Sequence, residues 1–130
     1  MKYGKLYNWY AVNDPKGLAP VGWHLPNDSE WNTLINYLGG SEVAGGKLKS
    51  EKGWFNKGNG KKTCGFDALP GGEINSLQGF SLMEKFGNWW SSTERNEEFA
   101  SIFVINYYYP KISNIGGYKD SGYSVRCIKN

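Results

Sequence analysis

Apolar positions in this chain change rhythm partway along. They recur at helical spacing before residue 50, and at strand spacing or without a break after residue 86. Trp31, Leu34, Ile35 and Leu38 fall at i, i+3, i+4 and i+7, one stripe for a core. Asn27 stands where it can cap that helix, Glu30 three residues on completes a capping box, and Gly39-Gly40 supplies a left-handed stop. The pattern predicts a helix over 27–38. A weaker helix is expected from 41 to about 50; Gly45 and Gly46 each cost it about 1 kcal/mol relative to alanine. They make sense if another stretch of backbone passes close by.

The aromatic run 3–12 reads as a strand or short aromatic segment, and 65–72 as a short strand ending at a turn. Residues 86–92 form a further predicted strand carrying Trp89 and Trp90. Residues 99–109 are strongly β-prone up to Pro110, and their near-continuous apolar half predicts a central strand. The Gly- and Asn-rich stretch 112–122 reads as a connection, and the alternation in 123–128 predicts the last strand. Helices first and strands later, within 130 residues, predict one α+β domain over 1–130 with an antiparallel sheet. No apolar run approaches the roughly 20 residues a bilayer crossing needs, so direct membrane insertion is not expected.

Composition sharpens the picture in two ways. Six Trp, nine Tyr, six Phe and 18 Gly suit short strands, irregular loops and broad contact surfaces. A net charge of +3 from 15 basic and 12 acidic residues is too balanced to predict a nucleic-acid partner. The local excess at Lys47, Lys49, Lys52, Lys57, Lys61 and Lys62 reads as a solvated face. Cys64 and Cys127 could form one bridge worth about 4 kcal/mol in the chain-entropy model. Their separation in space is not readable from sequence, so pairing stays open.

The inventory for catalysis is thin. His24 is the sole histidine and reads as structural, no G-x-S-x-G elbow occurs, and the acidic residues are too scattered for a calcium loop. No catalytic residue, metal or cofactor is expected. Recognition surfaces instead use Tyr and Asn, which combine rigid amphipathic area with adaptable hydrogen bonding. Asn106, Tyr107, Tyr108 and Tyr109, then Asn114, Tyr118, Asp120 and Tyr123, carry that signature. Trp89 and Trp90 are strand neighbours and point to opposite faces, so one belongs to the core and Trp90 is assigned to the binding face.

Several blocks, in this order, carry a resemblance. They are Gly4-Lys5-Leu6-Tyr7-Asn8-Trp9, Gly22-Trp23-His24-Leu25-Pro26, Glu30-Trp31 with Leu34, and Leu38-Gly39-Gly40. Next come Ala44-Gly45 with Lys47-Leu48-Lys49 and the run Gly65-Phe66-Asp67-Ala68-Leu69-Pro70-Gly71-Gly72. Trp89-Trp90-Ser91-Ser92-Thr93-Glu94 and Ser124-Val125-Arg126-Cys127 complete the set. Together they resemble the Fibrobacter succinogenes major paralogous domain family. The resemblance implies a C-type-lectin-like fold, two helices packed on a small twisted antiparallel sheet with extensive loops. It also implies an exported or cell-surface setting in bacteria, with no family-wide enzymatic activity and with ligand binding or adhesion as the expected role.

Two departures qualify the match. Ala19 stands where members often have a cysteine that would bridge to the last strand, which leaves Cys127 without its expected partner. The family's leading segment is also expected to be missing, which would expose a sheet edge. The tripeptides of calcium-dependent sugar-binding lectins are absent, so calcium is not expected. The functional expectation is a non-catalytic binding or adhesion module that recognises a glycan or a protein. Its predicted contact residues are Asn106, Tyr107, Tyr108, Tyr109, Asn114, Tyr118 and Trp90. The alternatives are a scaffold with diversified C-terminal loops, of the retroelement variable-protein type, and an assembly domain that accepts a donated strand.

Overall fold

The computed structural model describes residues 2–61 and 63–130. Helix α2, Asp28–Tyr37, is built as its sequence dictates. Asn27 Oδ1 accepts from the Glu30 amide at 2.9 Å, and Glu30 Oε2 accepts from the Asn27 amide at 2.9 Å. Reciprocal bonds of this kind satisfy two amide donors that a helix start otherwise leaves unpaired. At the far end, Gly39 and Gly40 take φ of 104° and 100°. Their amides donate to Asn36 O at 3.1 Å and Ile35 O at 2.9 Å, the paired bonds of a Schellman stop. Trp31, Ile35 and Leu38 are buried, with Leu34 packed at their border.

Helix α3 follows at Ser41–Leu48. Its Gly45 answers the question raised by its poor propensity. A Cβ there would stand 2.6 Å from Lys111 O and 2.7 Å from Pro110 O. The Gly46 amide donates to Pro110 O at 2.9 Å. The missing side chains let the helix lie directly on the chain entering the outer strand of the sheet.

That sheet has three antiparallel strands, β4 (Phe86–Glu94), β5 (Phe99–Asn106) and β6 (Ile112–Tyr118), in the order β4-β5-β6. Strand β5 is central, as its apolar run predicts, and a core lies on each face. Trp89, Phe103, Ile105 and Ile112 join Trp31, Ile35, Leu48 and Trp54 on one side. Trp90, Ala100 and Ile102 join Trp9, Val12, Leu25 and Tyr123 on the other. The Trp31 and Phe103 rings stack at 4.9 Å and tie α2 to the central strand.

Three expectations need correction. Residues 112–118, read as a connection, form strand β6. Gly116 and Gly117 look like breakers, but a Cβ on Gly117 would stand 2.7 Å from the Tyr123 ring and 2.9 Å from Ile102 Cγ2. Glycine in this strand makes room for a neighbour, not a turn. Strand β5 stops at Asn106, short of residue 109, because Asn106 Oδ1 accepts from the Tyr108 and Tyr109 amides, each at 2.9 Å, and folds the chain out of the sheet. The opening aromatic run makes one bridge, Tyr7 to Tyr123, and then a helical turn, α1 (Trp9–Val12), capped by Asn8. Trp9 and Val12, three apart, both reach the core.

Two further predicted strands, 65–72 and 123–128, also differ. Residues 65–72 contribute only the bridges of Ala68 to Lys49 and Gly72 to Gly87. The following hairpin, β2 (Glu73–Asn75) with β3 (Gly79–Ser81), was not foreseen. Of 123–128, Tyr123 and Ser124 make single bridges, and β7 (Ile128–Lys129) pairs with β1 (Trp23–His24). Ser124 does adjoin β4, its amide donating to Asn88 O at 3.0 Å while its carbonyl accepts from the Trp90 amide at 3.0 Å. Among the described residues, three α-helices and small antiparallel sheets make the chain α+β. Cys64 and Cys127 are both free, and they pack against different cores.

His24 ties the pairing of β1 with β7 to the helix cap. Its Nε2 donates to Glu30 Oε1 at 2.7 Å and its Nδ1 to Asn130 Oδ1 at 2.6 Å, an arrangement that suits the imidazolium. Those bonds, Glu30 first, raise the His24 pKa above 6.5; the Asn27 amide and then His24 lower that of Glu30 below 4.5. The His24 contribution is complete below pH 6.5 and fades as pH rises through the raised folded value. The Glu30 contribution is complete above pH 4.5 and fades as pH falls through the lowered one.

Two outcomes follow from this packing. Propensity alone would have Gly45→Ala stabilise α3 by about 1 kcal/mol. The contact with the 110–111 carbonyls reverses the sign, to a loss of about 1–3 kcal/mol in urea unfolding. For His24→Gln, the deficit in melting temperature should be widest between pH 4.5 and 6.5 and shrink as pH rises through the raised His24 pKa. A deficit that is constant with pH would contradict the clasp.

Candidate functional site

The predicted contact residues are not gathered on one face. Asn106 spends its carboxamide oxygen on the turn described above. Tyr107 is half-buried, edge-on to Phe55 at 5.2 Å, and begins a ladder through Tyr108 at 6.0 Å to Tyr109, a further 4.7 Å on. Tyr108 and Tyr109 are exposed. Lys49 lies beneath this ladder, not on the solvated face predicted for it. It is buried, 5.2 Å above the Trp54 ring, and donates to Tyr109 O at 3.0 Å; desolvation lowers its pKa. Lys62, in the same predicted face, lies outside the described residues.

Trp90 is not a contact residue. It is 0% exposed, its indole donates to Tyr7 O at 2.7 Å, and its ring meets Tyr123 edge-on at 4.7 Å. The expectation failed because it took one face of β4 to be open. Both faces are covered, so neighbours pointing in opposite directions both land in a core.

Asn114 is exposed but locally occupied. Its Nδ2 donates to Asp28 Oδ2 at 3.2 Å, and its Oδ1 accepts from Arg95 Nη2 at 2.7 Å. Arg95 Nε donates to Ser101 Oγ at 3.0 Å, and Ser101 Oγ donates to Asp28 Oδ2 at 2.9 Å. The four side chains close a ring that fixes the start of α2 on the sheet. Tyr118 stands at the opposite end of β6 from the tyrosine ladder, about 20 Å away at 3.3 Å per residue. Its ring is exposed and rests on Phe99 at 4.5 Å.

Beside Tyr118 lies a groove of about 490 Å³ between the β2–β3 hairpin tip and the turn 118–123. Asn75 Oδ1 builds the tip by accepting from the Leu77 and Gln78 amides at 3.1 and 2.6 Å. The tip is lashed to the turn by Ile74 N to Gly122 O at 3.0 Å and Gly122 N to Ile74 O at 2.7 Å. The turn is anchored below by Lys119, whose Nζ is 2.5 Å from Glu94 Oε1 and 4.8 Å from the Trp9 ring centroid. Groove width is therefore set by main-chain bonds and not by loose side chains.

Leu77 and Tyr118 form exposed walls, and Ser121 and Tyr123, almost wholly buried, reach the groove from beneath. Burial, then the charge of Glu73, raises the Tyr123 pKa; Asp120 adds to it. Glu73 and Asp120 line the same groove as Tyr123. Among the described residues, no three His, Cys, Asp or Glu side chains gather in a way that could hold a metal ion.

The sequence reading placed Tyr118, Asp120 and Tyr123 in its recognition segment but missed Glu73, Leu77 and Ser121. The available signal was Asn75-Ser76-Leu77-Gln78-Gly79, turn residues between short β-prone pairs. Replacing Asn114 with Ala should cost about 1 kcal/mol in urea unfolding, since it opens the ring, with no effect on ligand binding.

No curated protein and no solved structure matches the chain. Among protein families, the Fibrobacter succinogenes major domain matches residues 1–129, which includes every residue of the groove and of the tyrosine ladder. On that match, the chain belongs to the Fibrobacter succinogenes major domain family.

Proposed function

We propose that this chain is a non-catalytic binding module of a secreted or cell-surface bacterial protein, with a C-type-lectin-like fold, and that it holds a glycan or protein ligand in the Tyr118 groove. The pairing of β1 with β7 near the two ends of the chain supports the lectin-like reading, as do α2 and α3 packed on a short antiparallel sheet. The observation that carries the binding reading is the groove itself. It has a fixed width, an aromatic and an aliphatic wall, and hydroxyls at its base, the mix of apolar lining and few convergent polar groups that ligand sites use.

The reactive side chains support the non-catalytic reading. Both His24 nitrogens are engaged by Glu30 and Asn130. Burial raises the Cys127 pKa and disfavours its thiolate. Cys64 Sγ is engaged as well, donating to Lys47 O at 3.3 Å.

The test is a glycan array, followed by titration of the best hits against variants. Tyr118→Ala and Leu77→Ser should each weaken binding by about tenfold or more, the scale of removing a well-packed anchor. Tyr107→Ala and Tyr108→Ala should leave it unchanged. The reverse pattern would move the site to the tyrosine ladder.

A further inference from the structure

We propose that the groove beside Tyr118 selects ligands that present a primary ammonium group, an inference that rests on the binding reading above. None of the nine residues lining the groove is basic, while Glu73 and Asp120 both are acidic and stand on opposite elements, the hairpin and the turn. The nearest cation in the turn is turned away. Lys119 is 5% exposed, and its ammonium is held between Glu94 and the Trp9 ring on the other side of the ridge. The two groove carboxylates are left without a protein counter-charge in the lining.

The base of the groove points the same way. Tyr123 and Ser121 are 6% and 3% exposed, yet both line the groove. The Tyr123 and Ser121 hydroxyls are hydrogen-bonded to each other. A hydroxyl has two acceptor lone pairs, so the bonded pair can still accept from a donor on a ligand. Tyr118 adds the electron-rich face of an exposed ring, which attracts ammonium groups within about 6 Å of its centre. An ammonium donates three hydrogen bonds and accepts none, matching a site made of carboxylates, hydroxyls and a π face.

Acidic character continues across the ridge. A second groove of about 490 Å³ is lined by Tyr10, Glu97, Glu98, Tyr118, Lys119 and Asp120, three carboxylates against one lysine that is already paired with Glu94, and Tyr118 and Asp120 border both grooves. This local negative region lies on a chain whose net charge is +3, and it sits at the end of β6 away from Lys49, Lys85 and Lys111. An acidic glycan would meet repulsion here. A neutral one would leave both carboxylates facing water or the ligand without a matching charge.

Two sources present this chemistry, amino-sugar units and lysine side chains, and the experiment separates them. Calorimetric titrations of the whole chain would use a fully deacetylated glucosamine tetramer, its N-acetylated counterpart, and tri-lysine. At least one amine ligand should bind about tenfold more tightly than the N-acetylated tetramer, and binding should weaken as salt rises from 50 to 500 mM. Glu73→Gln and Asp120→Asn, with melting temperatures checked against the parent, should each reduce that preference several-fold.

Preference for the glucosamine tetramer over tri-lysine identifies the sugar source, and the converse the peptide source. Equal or tighter binding of the N-acetylated tetramer would overturn the ammonium selection while leaving the groove a binding site. Failure of both amine ligands to bind would overturn it as well. In the unaltered chain, affinity that does not change with salt would do so without recourse to any variant.

Discussion

Strand β5 is covered on both faces, and most of the molecule is arranged around that requirement. Its registers with β4 set Trp89 opposite Phe103 and Trp90 opposite Ile102, one pair for each core. Removing a buried Trp side chain costs about 3–5 kcal/mol. A domain of this kind is stable by only about 5–15 kcal/mol, so each indole is a large fraction of the whole. The helices serve one face through Trp31 and Leu48; α1 and Tyr123 serve the other. This is why a short three-stranded sheet needs chain from both ends of the sequence to complete it.

Close approach is the second constraint. At Gly45 the α3 backbone sits on the carbonyls of residues 110–111, and at Gly117 the β6 backbone receives the Tyr123 ring. Both glycines are poor choices for the elements they occupy if propensity alone is counted. They are tolerated because any Cβ would push apart layers whose contacts are worth more than the local cost. The same contacts fix the ends of β6, and β6 in turn presents Tyr118 to the groove.

The candidate site gains its geometry from these supports and its chemistry from elements far apart in sequence. Lys119 is spent inside the ridge on Glu94 and Trp9, which leaves the surface of the turn acidic although the chain as a whole is basic. The tyrosine ladder at the other end of β6 is built differently, on a buried lysine and an asparagine turn. Two aromatic regions that look continuous in sequence are thus separate surfaces with different electrostatic surroundings.

Helix α2 was legible because its cap, stripe and stop all lie within about a dozen neighbouring residues. The centrality of β5 was legible because an uninterrupted apolar run must be covered on both sides. Tyr118, Asp120 and Tyr123 stood out by residue type. Tertiary structure decided the rest. Whether Gly116-Gly117 is a turn or a strand depends on Tyr123 and Ile102. Whether Trp90 is surface or core depends on α1 and Tyr7. The hairpin that supplies Glu73 and Leu77 is too short to announce itself and is held by Gly122. Local sequence determines elements whose stabilising partners lie within the same element; positions whose partners come from other elements are decided only when the layers meet.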